Sequence, residues 1–136
     1  MTTGAASILD ASALLAYLHR EPGGETVAQR LRNESWISAV NWAEVLSKLA
    51  EAGQDPAEVR RALVERNILG VLLHVHAFDE ADGADVARLR PLTRAAGLSL
   101  GDRACLALGR RLDVPILTAD RSWLALDLGV TIVAIR

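Results

Sequence analysis

The chain has 136 residues, and its apolar fraction of 51% is enough for one compact unit with a substantial core. Its 15 basic and 17 acidic residues give a net charge of −2, so the overall charge does not indicate a nucleic-acid partner. The single cysteine excludes an intramolecular disulfide, the segment MTTGAAS has no signal-peptide pattern, and no apolar stretch approaches the roughly 20 residues that cross a bilayer. We therefore expect a soluble, cytoplasmic protein without a membrane partner.

Short apolar runs alternate with helical periods along the first half of the chain. Pro22 is typical of a first helical turn, and the pair Asp55 and Pro56 predicts an N-cap followed by the first helical residue. The predicted elements are a strand over 6–9, helices over 11–19 and 22–32, a strand over 36–38, and helices over 41–51 and 56–67.

The second half of the chain continues this alternation. Residues 72–78 alternate apolar side chains with His74 and His76, which predicts a strand with both imidazoles on a half-exposed face. Further elements are predicted as a helix from 79 or 80 to 96, a helix from 101 or 102 to 112, a strand over 116–118, a short helix over 120–126 and a last strand over 130–135. The whole pattern predicts an α/β fold of parallel strands joined by crossover helices, with one domain over 1–136.

Carboxylates stand at the ends of two predicted strands. Asp10 follows the first strand directly, and Asp120 follows the strand 116–118 after one small residue. Because parallel strands end at the same edge of a sheet, the two carboxylates can converge there, where a hard divalent cation such as Mg²⁺ or Mn²⁺ would compensate their repulsion. Each is also placed to be an ordinary helix N-cap, so the pattern alone leaves both interpretations open.

Two further acids have different helical positions. Asp102 shares a helix face with Cys105 and Leu106, which directs its carboxylate toward the sheet and calls for a partner, whereas Cys105 itself is expected to be a core residue. Glu44 lies opposite the apolar arc of its helix, with Lys48 one turn later as a candidate ion-pair partner. Helical periodicity therefore predicts that Glu44 is exposed to solvent.

Four segments together resemble the acidic motifs of the PIN-domain ribonucleases, in order along nearly the whole chain: ILDASALLA (8–16), SAVNWAEVL (38–46), LSLGDRACLALG (98–109) and ILTADRSWLAL (116–126). Within that family the chain is most similar to the VapC-type toxins of toxin–antitoxin pairs. The resemblance implies a three-layer α/β/α sandwich with a central parallel sheet of four to five strands. It also implies that Asp10, Glu44, Asp102 and Asp120 form one catalytic pocket that holds Mg²⁺ or Mn²⁺, with the hydroxyls of Ser12 and Thr118 behind these ligands.

The function implied by this resemblance is hydrolysis of RNA phosphodiesters by metal-activated water. Similarity to the VapC-type toxins further implies single-stranded regions of structured RNA as substrate, a VapB-type antitoxin as partner and a homodimer. Arg20, Arg103 and Arg121 are candidate phosphate contacts, because Arg103 and Arg121 each follow a proposed ligand directly and Arg20 ends the helix after Asp10. A phosphoacceptor receiver-like domain and a catalytically inert binding module on the same fold are the alternatives.

Overall fold

Short strands and helices alternate along residues 6–136, which are the residues that the computed structural model describes. The expectation about a signal peptide depends partly on residues 1–5, which lie outside the described range. In chain order the elements are β1 (Ser7–Leu9), α1 (Ala11–Leu18), α2 (Gly24–Leu31), β2 (Ser35–Ser38), α3 (Ala39–Glu51), α4 (Pro56–Glu65), β3 (Leu73–His76), α5 (Glu80–Thr93), a 3₁₀ turn (Arg94–Ala96), α6 (Leu100–Leu112), β4 (Ile116–Thr118), a second 3₁₀ turn (Arg121–Ala125) and β5 (Ile132–Ala134).

The five strands form a parallel sheet in the order β3-β2-β1-β4-β5. Neighbouring residues of one strand point to opposite faces, so Ile8 and Leu9 of β1 belong to two different apolar cores. One core contains residues of α1 to α4, and the other contains residues of α5, α6 and the second 3₁₀ turn. The predicted three-layer α/β/α arrangement is therefore confirmed.

The second helix begins later than the sequence predicts. Pro22 lies before the helix, because Gly23 adopts a left-handed conformation with φ of 93° and α2 begins at Gly24. Gly24 packs so closely on α1 that a Cβ atom there would lie 2.6 Å from the carbonyl oxygen of Ala16. The prediction of a helix from Pro22 was wrong, since the turn between α1 and α2 requires glycines that the helix start signal of proline does not reveal.

Other element bounds differ by smaller amounts. The strand β4 covers the predicted residues, whereas β3 and β5 are shorter than predicted because each is an edge strand with one neighbour. The predicted helix 80–96 changes to a 3₁₀ turn after Thr93, and the predicted helix 120–126 is 3₁₀ throughout. None of the helices within residues 6–136 is long and apolar enough to cross a membrane.

The strand order reverses next to β1, and this reversal positions the site. From β1 the chain moves outward through β2 to β3, and it later returns to place β4 on the other side of β1. The amide of Asp10 accordingly donates to the carbonyl oxygen of Leu117 at 3.2 Å. The residues that follow β1 and β4 therefore meet at the carboxyl edge, at the position where open α/β sheets bind ligands.

Candidate functional site

The four acids that the sequence singles out all line one cavity of about 410 Å³ at the carboxyl edge of the sheet. They come from four separate elements, because Asp10 and Asp120 follow β1 and β4 while Glu44 and Asp102 lie in α3 and α6. The other residues that line the cavity are Ala11, Ser12, Leu15, His19, Glu21, Asn41, Lys48, Trp123 and Arg136.

Asp10 is the buried centre of a hydrogen-bond network. Its Oδ1 accepts from the Ser12 hydroxyl at 2.7 Å and from the Ala13 amide at 2.8 Å, and its Oδ2 accepts from the Thr118 hydroxyl at 2.6 Å. The same two hydroxyls accept from the segment after β4, since Ser12 Oγ binds the Ala119 amide and Thr118 Oγ1 binds the Asp120 amide, both at 3.0 Å. Ser12 and Thr118 therefore fix Asp10 relative to Asp120.

Burial leaves the charge of Asp10 incompletely compensated. The residue is 7% exposed, and this desolvation raises the pKa of its carboxyl group, although hydrogen bonds from Thr118, Ser12 and Ala13 lower the pKa. The negative charge of Asp102 raises the pKa of Asp10 further. Beneath the site, burial raises the pKa of the Cys105 thiol well above its usual value, with added contributions from Asp10, Asp102 and Glu44. Cys105 is fully buried, as the sequence predicts for a core residue.

Asp102 and Asp120 each accept a capping hydrogen bond and also line the cavity. Asp102 forms a capping box at the start of α6, in which its Oδ2 accepts from the Ser99 amide at 3.0 Å. Asp120 caps the 3₁₀ turn after β4, and its Oδ1 accepts from both the amide and the hydroxyl of Ser122. Asp10 likewise caps α1. Capping and cavity lining, which the sequence presents as alternatives for Asp10 and Asp120, occur together.

Glu44 is exposed to solvent, as its helical position predicts, and it also lines the cavity. Both findings hold because the polar side of α3 faces the start of α6 across the cavity. The Asn41 side-chain amide donates to Glu44 Oε1 at 2.8 Å. Helical periodicity could not predict this placement, since it distinguishes polar from apolar faces but does not show what a polar face borders.

The donor atoms that line the cavity are of the chemical type that a hard divalent cation prefers. They are carboxylate oxygens, and the hydrogen bonds between described residues leave Glu44 Oε2, Asp102 Oδ1 and Asp120 Oδ2 without a donor. The desolvated carboxylate of Asp10 beside that of Asp102 is a position that a cation would stabilise. Over residues 6–136, however, no three side chains of His, Cys, Asp or Glu lie close enough together to hold a metal ion.

The candidate phosphate contacts have three different surroundings. Arg103 is buried and donates to the Val86 carbonyl oxygen at 3.1 Å, which ties α6 to α5. Arg121 is exposed and donates to the carbonyl oxygen of Arg136, and Arg20 lines a neighbouring groove beside Glu21 and Arg66. None of the three lines the acidic cavity. The basic side chains that do line it are Lys48, Arg136 and His19.

Two residues that the sequence analysis did not single out contact the acids. Asn41 is 1% exposed, and Gly101 lies so close to the Glu44 carboxylate that a Cβ atom there would displace it. The sequence contains one signal for each of these two residues, namely a low helix propensity inside a helix. Asparagine is a poor helix former and lies one turn before Glu44, and glycine in the first turn of a helix next to Asp102 also opposes helix propensity.

The chain matches the profile of one known protein family. The PIN domain family profile matches residues 7–128, and the chain therefore belongs to the PIN domain family. No curated protein matches the chain significantly.

Solved structures place the fold within that family. The chain is similar to a toxin–antitoxin complex from Klebsiella pneumoniae, with a TM-score of 0.72 and 17% identity over 96% of this chain and 98% of that chain. It is also similar to FitAcB from Neisseria gonorrhoeae, with a TM-score of 0.70 and 23% identity over 95% and 97% of the two chains. A third similar structure is a sarcin–ricin loop cleaving VapC toxin of Mycobacterium tuberculosis, with a TM-score of 0.66 and 13% identity over 92% and 98%. The fold of this PIN domain is therefore similar to that of these solved toxin structures.

Proposed function

We propose that this protein is an Mg²⁺- or Mn²⁺-dependent endoribonuclease and the toxin of a type II toxin–antitoxin pair. The observation that carries the proposal is the meeting of four acids on one cavity at the carboxyl edge of a PIN-type sheet, next to the reversal of strand order. The four acids are distributed over residues 10 to 120, so only the fold brings them to one place.

The proposed division of roles combines the family resemblance with the hydrogen bonds at the site. Asp10, Asp102 and Asp120 are the principal ligands, directly or through water, and Glu44 orients water or completes the site. Ser12 and Thr118 hold both oxygens of Asp10 in place, so that its carboxylate does not rotate away from the cavity. A bound divalent cation would supply activation of water near neutral pH and stabilisation of negative charge on the phosphate.

Substrate phosphate is expected to contact the basic side chains that line the cavity. Lys48 and Arg136 line the cavity with the acids, and Lys48 is the better placed of the two, because Arg136 Nη1 already donates to the Pro22 carbonyl oxygen at 2.9 Å. Arg121 donates to the carbonyl oxygen of Arg136, so its proposed role is to position Arg136. Arg20 lines the adjoining groove, where it is placed to contact a longer RNA strand. The contacts of Arg103 with α5 support a structural role for that residue instead.

The proposed partner and substrate rest on the similar structures. Their names describe toxin–antitoxin complexes and a toxin that cleaves the sarcin–ricin loop, which supports a VapB-type antitoxin as partner and single-stranded regions of structured RNA as substrate. We also propose one nuclease domain over residues 1–136, a homodimer, as the family resemblance implies, and a cytoplasmic location, as the single cysteine suggests.

The decisive experiment is cleavage of total cellular RNA with Mg²⁺ or Mn²⁺, with the fragment ends mapped and EDTA as control. Cleavage that EDTA stops and that Asp10→Asn reduces at least 100-fold is the expected result, because Asp10 is the most buried of the four acids. Full activity of Asp10→Asn would reject the assignment. Absence of cleavage with retained cation binding would favour the inert binding module, and labelling of an aspartate by acetyl phosphate would favour the receiver-like alternative.

A further inference from the structure

A buried amide joins the helix that carries Glu44 to the helix that carries Asp102. The Asn41 side chain projects from α3, and its Nδ2 donates to Glu44 Oε1 at 2.8 Å and to the Gly101 carbonyl oxygen at 2.9 Å. Because Nδ2 has two donors and both partners are acceptors, the orientation of the amide is fixed. The contact between Asn41, Glu44 and Gly101 therefore joins α3 to the first turn of α6 and includes one of the four acids.

Gly101 supplies the other side of this contact. A Cβ atom at this position would lie 2.5 Å from Glu44 Oε2 and 2.7 Å from Glu44 Oε1, so the carboxylate occupies the space that a larger residue would fill. The backbone of Gly101 has no positive φ value that would itself require glycine. The glycine is thus explained by the close approach of Glu44, which is otherwise an exposed side chain on a flexible stem.

One atom of the Asn41 side-chain amide destabilises the folded state. Its Oδ1 is buried and has no hydrogen-bond donor among the described residues. An unsatisfied buried acceptor costs about 1–3 kcal/mol, whereas an apolar side chain of the same shape would avoid this cost. The Gly101 carbonyl oxygen is also placed to accept the regular hydrogen bond within α6, so the hydrogen bond to Glu44 is the part of this network that most depends on an amide at position 41.

We propose that Asn41 is a positioning residue for the cation site, which acts by holding the Glu44 carboxylate against Gly101, the residue before Asp102. This inference rests on the proposed function, since it assumes that the acids bind Mn²⁺ or Mg²⁺. Residues that orient a ligand of this kind typically change metal affinity 10- to 100-fold when they are removed.

Calorimetric titration of the whole chain with Mn²⁺ in the absence of RNA tests the proposal. We expect Asn41→Leu to weaken Mn²⁺ binding about 10-fold while thermal stability is kept or raised, because the unsatisfied acceptor is removed. Gly101→Ala should weaken binding similarly by displacing Glu44, and alanine favours the helix, so this variant is expected to fold. Gly83→Ala is the matched control, since it lies in α5 with nothing within 4 Å of the added Cβ.

A double-mutant cycle separates positioning from a general effect. In a Glu44→Ala background, Asn41→Leu should change Mn²⁺ affinity less than twofold, because Asn41 acts through Glu44. Unchanged affinity of both Asn41→Leu and Gly101→Ala would overturn this inference and leave the proposed function intact. An additive loss of affinity in the cycle would also overturn it. If the wild-type chain neither binds Mn²⁺ nor cleaves RNA, the proposed function fails and the inference fails with it.

Discussion

Asp10 serves two purposes that conflict electrostatically. Its three hydrogen bonds from Ser12, Ala13 and Thr118 fasten the start of α1 to the end of β4. Its burial nevertheless raises the pKa of its carboxyl group, which means that the ionised form is destabilised more by desolvation and by Asp102 than it is stabilised by these donors. Asp10 therefore anchors α1 to β4 although its buried charge is unfavourable, a cost that the cation of the proposed function would offset.

The pH dependence of stability should show this conflict. Because the pKa of Asp10 is raised in the folded state, the folded protein binds more protons than the unfolded chain between the two pKa values. The contribution of Asp10 to the free energy of unfolding is therefore greatest at low pH and is lost as pH rises through the folded-state pKa. Each unit by which the pKa is raised corresponds to about 1.4 kcal/mol.

Asp10→Asn removes this contribution, so the free energy of unfolding of the variant minus that of the wild type should increase from pH 4 upward and then level off. Urea unfolding of both proteins in EDTA measures the difference, and subtraction cancels the other titrating groups. A difference that is constant with pH, or that falls as pH rises, would show that the Asp10 pKa is not raised.

At the scale of elements, contacts between helices and sheet depend on particular glycines. Gly109 lies near the end of α6, where a Cβ atom would overlap the side chain of Ile116, at 2.6 Å from its Cγ1. Ile116 is fully buried in β4 and has no free space to enter. The helix can therefore approach the sheet this closely only with glycine at position 109, even though glycine is a poor helix former.

Gly109→Ala should lower the free energy of unfolding by about 1–3 kcal/mol, because overpacking of a buried contact outweighs the gain in helix propensity. Gly83→Ala, with open space around its added Cβ, should raise the free energy by up to about 1 kcal/mol. Thermal or urea unfolding of the pair measures both effects. Equal stabilisation by the two substitutions would mean that Ile116 does not restrict α6.

Most elements could be predicted from the sequence because hydrophobic periodicity and caps are local signals. The strand β4 and the starts of α4 and α5 follow from such signals, and the structure agrees with them. Local signals failed at Pro22, where the preference of proline for a first helical turn was overridden by the close packing of Gly24 on α1. Edge strands were also predicted too long, because sequence alternation continues where the sheet no longer has a partner.

Prediction of the site was limited in a similar way. Asp10 and Asp120 could be placed from their positions after two strands, because parallel strands share an edge. The place of Glu44 depended on the family resemblance, and the roles of Asn41 and Gly101 were not predicted, because each results from the approach of α3 to α6. Contacts between distant segments have no counterpart in the periodicity of either segment.

At the scale of the whole molecule, a cation that binds the four acids should stabilise the fold by mass action. At a Mn²⁺ concentration of 100 times the Kd, the expected gain is about 2.7 kcal/mol, which for a chain of this size raises Tm by roughly 8 °C. Scanning calorimetry with increasing Mn²⁺ measures the shift. NaCl at equal ionic strength and the Asp10→Asn variant are the controls, and an equal rise in all three would mean that the stabilisation is not due to the acidic cavity.

Between Glu44 and Asp102 the chain forms the edge strand β3, and this strand separates the four acids into two pairs along the sequence. Asp10 and Glu44 precede β3, and Asp102 and Asp120 follow it, so the short segment between β3 and α5 divides the site evenly. A backbone cut in that segment would leave each fragment with two of the four acids and part of the sheet. Neither fragment alone could form the cavity, so under the proposed function RNA cleavage would return only when the two fragments associate.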